Sequence, residues 1–112
     1  MLNSDEVRLL GDGTSVREFL HADDFANAIQ HIIQKQLFVD SIINVSGPKL
    51  CTLKELSQII RKIACYGGNV VFSNDGQNGA KAKLLDGTRL QESGWEPRIS
   101  LEEGIARAYA KL

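Results

Sequence analysis

The sequence predicts an α/β fold, and three observations carry the prediction. Short apolar runs (7–10, 38–45 and 70–72), the last two rich in β-branched and aromatic residues, alternate with longer runs of helical period. Thr52 with Glu55, and Ser100 with Glu103, have the spacing of helix capping boxes. The run containing Phe38, Val39, Ile42, Ile43 and Val45 ends at the breaker pair Gly47-Pro48 and reads as a strand buried on both faces, which suits a largely parallel sheet.

Taken in order, residues 1–6 are polar and expected to fray. The apolar run 7–10 leads into GDGTS (Gly11 to Ser15), and 16–20 is expected to return beside it as a hairpin partner. From Asp24 the period lengthens: Phe25, Ala28, Ile29, Ile32 and Ile33 form one apolar face of a helix, with Asn27, Gln30, Gln34 and Lys35 opposite. Asp23 or Asp24 is the expected N-cap. After the 38–45 strand, Thr52 opens a helix carrying Leu53, Leu56, Ile59, Ile60 and Ile63, which Tyr66-Gly67-Gly68 should stop through a left-handed glycine. Val70 to Phe72 is a brief strand, and 73–83 is expected to be a mobile surface segment. Asp86 caps a helical turn through Leu90 that Gly94 ends, and Trp95 is a large apolar plug. The final helix should line one face with Leu101, Ile105, Ala108, Tyr109 and Leu112.

Composition excludes several classes of function. With 112 residues the chain is one domain's worth. Thirteen Lys and Arg against fourteen Asp and Glu leave a net charge of −1, without the basic excess a nucleic-acid surface needs. No apolar run approaches a membrane span, and the N-terminus lacks the layout of a signal peptide, so a soluble cytoplasmic protein is expected. Cys51 and Cys65 lie among apolar residues and read as buried thiols of a reduced compartment. His21, Asp23 and Asp24 do not have the spacing of a metal cage.

The chemistry centres on residues 9–27. A tight glycine turn would hold Arg17 on a short, stiff element, where a planar guanidinium can grip a phosphate with paired hydrogen bonds. The plain alternative is a turn, a surface arginine and a helix cap. No glycine-rich turn opens a strand–helix unit, and no tyrosine has a lysine four positions later. No serine or cysteine has the setting of a nucleophile. Catalytic residues are therefore not expected in this chain, nor a cofactor bound by it alone.

The segment GDGTSVREFLHADDFANAI resembles the G-x-G-x-x-x-R-E-F-L-H-V-D-D-L-A-x-A segment of the extended short-chain dehydrogenase/reductases, the NAD-dependent epimerase/dehydratase family. INVSG with TLKELSQIIRKIA, and KLLDGTRLQESGWEPRISLEEGIARAYAKL, are similar to further blocks of that family, in the same order. Within it the likeness runs to GDP-L-fucose synthases and related nucleotide-sugar enzymes. It implies the C-terminal, substrate-binding portion over residues 1–112, comprising a last sheet strand, helices and a small substrate-binding lobe, without the nucleotide-binding Rossmann half. NADP and a catalytic tyrosine–lysine pair would belong to that other half of an intact relative.

The resemblance also assigns residues. Arg17 would hold the diphosphate or neighbouring sugar oxygens of a nucleotide sugar. Leu10 stands where the synthases carry tryptophan, facing the substrate. Against their D-G-T-P-R-K-L-L-D, this chain reads N-G-A-K-A-K-L-L-D, so Lys83 keeps the lysine, Ala82 replaces the arginine and Lys81 replaces the proline. Lys83 and Lys81 are thus the second and third substrate contacts. The expected partners are a nucleotide sugar and either the missing N-terminal half or a second copy pairing along the 42–45 strand edge, the alternatives being a binding module or a self-associating structural domain.

Overall fold

The Gly-Asp-Gly turn does not close a hairpin. In the computed structural model, which describes residues 5–37, 42–73 and 79–112, the strand before the turn and the strand after it join different sheets. β1 (Glu6–Leu10) pairs in parallel with β4 (Asn69–Ser73), from Glu6 opposite Asn69 to Leu10 opposite Ser73. β2 (Val16–Glu18) lies between β3 (Leu50–Thr52) and β5 (Ala82–Lys83), running parallel to β5. The physical reason lies in the turn. A two-residue hairpin of type I′ needs consecutive left-handed residues, whereas here Gly11 (φ 90°) and Gly13 (φ 79°) are separated by Asp12. Asp12 Oδ1 accepts from the Thr14 amide at 3.0 Å and from its hydroxyl at 2.6 Å. The carbonyls of Gly13 and Ser15 accept from the Lys54 and Leu53 amides, which commits the chain beyond the turn to the start of α2 (Leu53–Ile63).

The chain folds as two compact units. The first comprises residues 1–17, 51–83 and 105–112. Thr52 and Glu55 form the expected capping box of α2. Its C-terminal end differs from expectation: the left-handed residue is Cys65 (φ 51°) and not a glycine. Cys65 N–H donates to Lys62 O and Tyr66 N–H to Arg61 O, the paired bonds of a Schellman ending. That position also leaves Cys65 exposed, contrary to the expectation of two buried thiols, while Cys51 is buried. The segment expected to be mobile contributes β5; its residues 74–78 lie outside the described ones.

The second unit comprises residues 18–50 and 84–104. Its core is Ala28, Leu90 and Trp95, with Leu20, Ile32, Leu37, Ile43 and Val45 packed around them. Trp95 is the expected plug, and its Nε1–H donates to Asn27 Oδ1 at 3.1 Å. α1 (Ala22–Gln34) is capped by His21, whose Nδ1 accepts from the Asp23 amide at 3.0 Å, and not by an aspartate. Asp24 instead points inward, 4% exposed, and accepts from the Arg98 and Ile99 amides at 3.1 and 2.9 Å. Because that carboxylate and Ala28 take the inner face, Phe25, Ile29 and Ile33 are turned outward and remain exposed.

The expected strand over 38–45 is also corrected. Residues 38–41 lie outside the described ones, and 42–47 form no regular element and join no sheet. Ile43 and Val45 pack on the core, whereas Ile42 is exposed. Asp86 precedes α3 (Thr88–Glu92) by two residues; Gly87 holds the cap position, and Asp86 Oδ1 accepts from the amide and hydroxyl of Thr88. Gly94 (φ 101°) follows the helix, as expected. Ser100 Oγ accepts from Glu103 N–H at the start of α4 (Leu101–Ala110), on which Leu101 is buried, Ile105 and Tyr109 are half-buried, and Ala108 is exposed, as is Leu112 just beyond it.

Replacing Asp24 by alanine strands two inward amides and should destabilise the fold by about 2–4 kcal/mol, read by chemical denaturation. The Thr88 hydroxyl and amide hold the Asp86 carboxyl below its ordinary range. Its contribution is therefore present above the unfolded value near about 3.9 and lost as pH falls through the lower folded value. An NMR titration of the Thr88 amide should accordingly show its transition only below about pH 4.

Candidate functional site

Arg17 lies at the centre of β2, opposite Lys83 of β5. The pairing starts where Val16 N–H donates to Lys81 O at 2.8 Å, followed by Val16 opposite Ala82 and Arg17 opposite Lys83. Lys81 lies at a bend immediately before β5, two residues from Lys83. Three of the four predicted substrate contacts are thus brought together on one short platform. Arg17 is half-buried, and its Nη1–H donates to the Val16 carbonyl at 2.8 Å. Its Nη2 lies over Gly79, only 3.3 Å from where a β-carbon on that residue would stand. Gly79 therefore clears the space that the guanidinium occupies, a role for this glycine that sequence reasoning missed.

The electrostatics of this platform favour an anion. Like charges directly opposite on paired strands repel, and among the described residues no carboxylate forms an ion pair with Arg17, Lys81 or Lys83. Among those residues only one N–H of the guanidinium fork is taken, by a neutral carbonyl. The remaining donors suit two oxygens of one phosphate.

Leu10 lies outside the β2–β5 pairing. It ends β1, 77% exposed, and borders an apolar groove of about 330 Å³ lined by Leu9, Leu53, Leu56, Ile60 and Phe72. A leucine there extends an apolar surface and offers no aromatic plate to a base.

The Gly11–Gly13 turn does not fit a dinucleotide. The Gly11–Gly13 turn leads into a strand and not a helix, so it presents no helix N-terminus to a pyrophosphate. The space beside Gly13 is filled: a β-carbon on it would lie 3.0 Å from the Phe72 ring and 3.1 Å from Lys54 Cβ. The glycine serves packing. No group of three His, Cys, Asp or Glu among the described residues is placed to hold a metal. His21 Nδ1 lies 3.8 Å from Asp23 Oδ2 and is engaged as the helix cap.

Residues 1–46 match the NAD dependent epimerase/dehydratase family. GDP-L-fucose synthase of Escherichia coli (strain K12) is 42% identical over 115 residues, covering 96% of this chain and 36% of that protein. The chain is related to the extended short-chain dehydrogenase/reductases. GDP-L-colitose synthase of Yersinia pseudotuberculosis is 36% identical, over 91% of the chain and 33% of that protein. The GDP-mannoheptose C4 reductase from Campylobacter jejuni, solved with NADP bound, shares the α/β fold at a TM-score of 0.81 and 28% identity, over 95% of this chain and 34% of that one. The chain is thus GDP-L-fucose-synthase-like and spans about a third of the length of the relatives it matches. Among the described residues, no helix is long and apolar enough to cross a membrane.

Gly13→Ala combines a left-handed backbone with a contact against the Phe72 ring. It should cost about 1–3 kcal/mol, measured as a lowered denaturation midpoint with the slope unchanged.

Proposed function

We propose that this chain is the nucleotide-sugar-binding, C-terminal portion of a longer NAD(P)-dependent epimerase/reductase, in which Arg17, Lys83 and Lys81 hold the diphosphate. The observation that carries the reading is the register placing Arg17 opposite Lys83 with no carboxylate paired to either among the described residues. A guanidinium supplies directional, paired donors, and the lysines add point charge. Hydride and proton transfer belong to parts of the enzyme outside this chain, which has neither a tyrosine–lysine pair at four-residue spacing nor a fitting dinucleotide turn. Binding energy from the nucleotide diphosphate, remote from the reacting sugar carbon, would serve to orient that carbon.

Two apolar surfaces support the view that more polypeptide packs here. The second unit exposes Phe25 (48%), Ile29 (42%) and Ile33 (60%) at helical spacing on α1. The first unit carries the groove bordered by Leu10. The α1 stripe also supports a second reading, a structural domain that self-associates through that helix. Pairing along 42–45 is no longer its basis, because no strand forms at 42–47.

Titration of GDP and GDP-sugars into the chain should give saturable heat. Arg17→Ala should weaken binding about 10- to 100-fold, the worth of one charge-assisted contact, with Arg17→Lys in between. A wild-type titration that stays flat against a panel of nucleotide sugars overturns the reading, and sedimentation as a concentration-dependent dimer with no nucleotide binding favours the second.

A further inference from the structure

Glu18, the last residue of β2, joins two distant parts of the chain. Its Oε1 accepts from the Leu85 amide at 2.7 Å and its Oε2 from the Gly47 amide at 3.1 Å. The segments meeting there approach closely. A β-carbon on Gly47 would lie 2.3 Å from Phe19 O, and one on Gly87 would lie 2.2 Å from Ser46 Oγ. Asn44 Nδ2 donates to Asp86 O at 3.3 Å beside them.

Residues 42–47 join no sheet, so the Gly47 amide needs a side-chain acceptor. The β2–β5 ladder ends at Arg17 opposite Lys83, and Leu85, two residues further on, likewise finds a carboxylate oxygen in place of a strand. Two paired positions hold a register weakly, and a slip of one residue would send Lys83 to the opposite face. A carboxylate suits this place for a specific reason. Both of its oxygens accept, whereas a carboxamide has one oxygen and would turn N–H donors toward an N–H donor.

We infer that Glu18 is a positioning residue for the anion platform: by accepting from Leu85 and Gly47 it extends the β2–β5 register past its last ladder pair and keeps Lys83 opposite Arg17. The inference rests on the reading that Arg17 and Lys83 bind a diphosphate. It makes a prediction opposite in sign to simple electrostatics. Removing a negative charge next to an anion site should strengthen anion binding, while loss of the register should weaken it.

The test compares the wild-type chain with Glu18→Gln, using amide hydrogen exchange by NMR and titration with GDP. In Glu18→Gln the Leu85 or Gly47 amide should exchange about tenfold faster with α1 amides unchanged, and GDP affinity should fall about fivefold or more. The double variant Glu18→Gln/Lys83→Ala should bind GDP no more weakly than Lys83→Ala, because one acts through the other. If Glu18→Gln fails to fold, Glu18→Asp, one methylene too short to span both amides, should show the same pattern. An unprotected Leu85 amide in the wild type, unchanged exchange in the variant, or GDP affinity equal to or tighter than wild type overturns the inference. Absence of GDP binding by the wild type, with the Leu85 and Gly47 exchange behaving as stated, instead removes the diphosphate reading and leaves the clamp.

Discussion

The alternation of left-handed and ordinary backbone at Gly11, Asp12 and Gly13 is the constraint on which the remaining arrangement depends. With two adjacent left-handed residues the chain would fold back on β1. Asp12 between them, bonded to Thr14, prevents that reversal, and the carbonyls beyond the turn are taken by the start of α2. β1 is thereby left for β4 and β2 for β5, which sets Lys83 opposite Arg17. A β-carbon at Gly13 would meet Phe72, so local geometry and packing both require the same residue.

The candidate site needs little of the chain. Two strand pairs, one glycine under a guanidinium and a lysine on either side of Ala82 suffice to concentrate positive charge on a molecule whose formal net charge is −1. Such a platform is unfavourable while empty and becomes favourable when an anion is present.

Both units leave apolar surface in water. In the second this follows from Asp24: a carboxylate directed inward to two amides turns α1 so that Phe25, Ile29 and Ile33 face out. In the first, α2 is amphipathic yet buries no residue fully, and its leucines border an open groove. A chain spanning about a third of its relatives' length would be expected to carry such surfaces.

Features governed by neighbours within one helical turn were legible in the residues alone: the Thr52–Glu55 box, the period of α2, the stop near Gly94, Trp95 as a plug. Arg17 stood out because its residue type and stiff setting suit phosphate, and the resemblance drew Lys83 and Lys81 to it. Strand partners, the inward turn of Asp24, the left-handed Cys65, the failure of 42–47 to join a sheet and the double acceptance by Glu18 were decided by tertiary structure. The physical reason is range. Caps and helical faces depend on atoms a few residues apart, whereas a strand's partner, or a carboxylate's, is chosen by competition among backbone groups dozens of residues away.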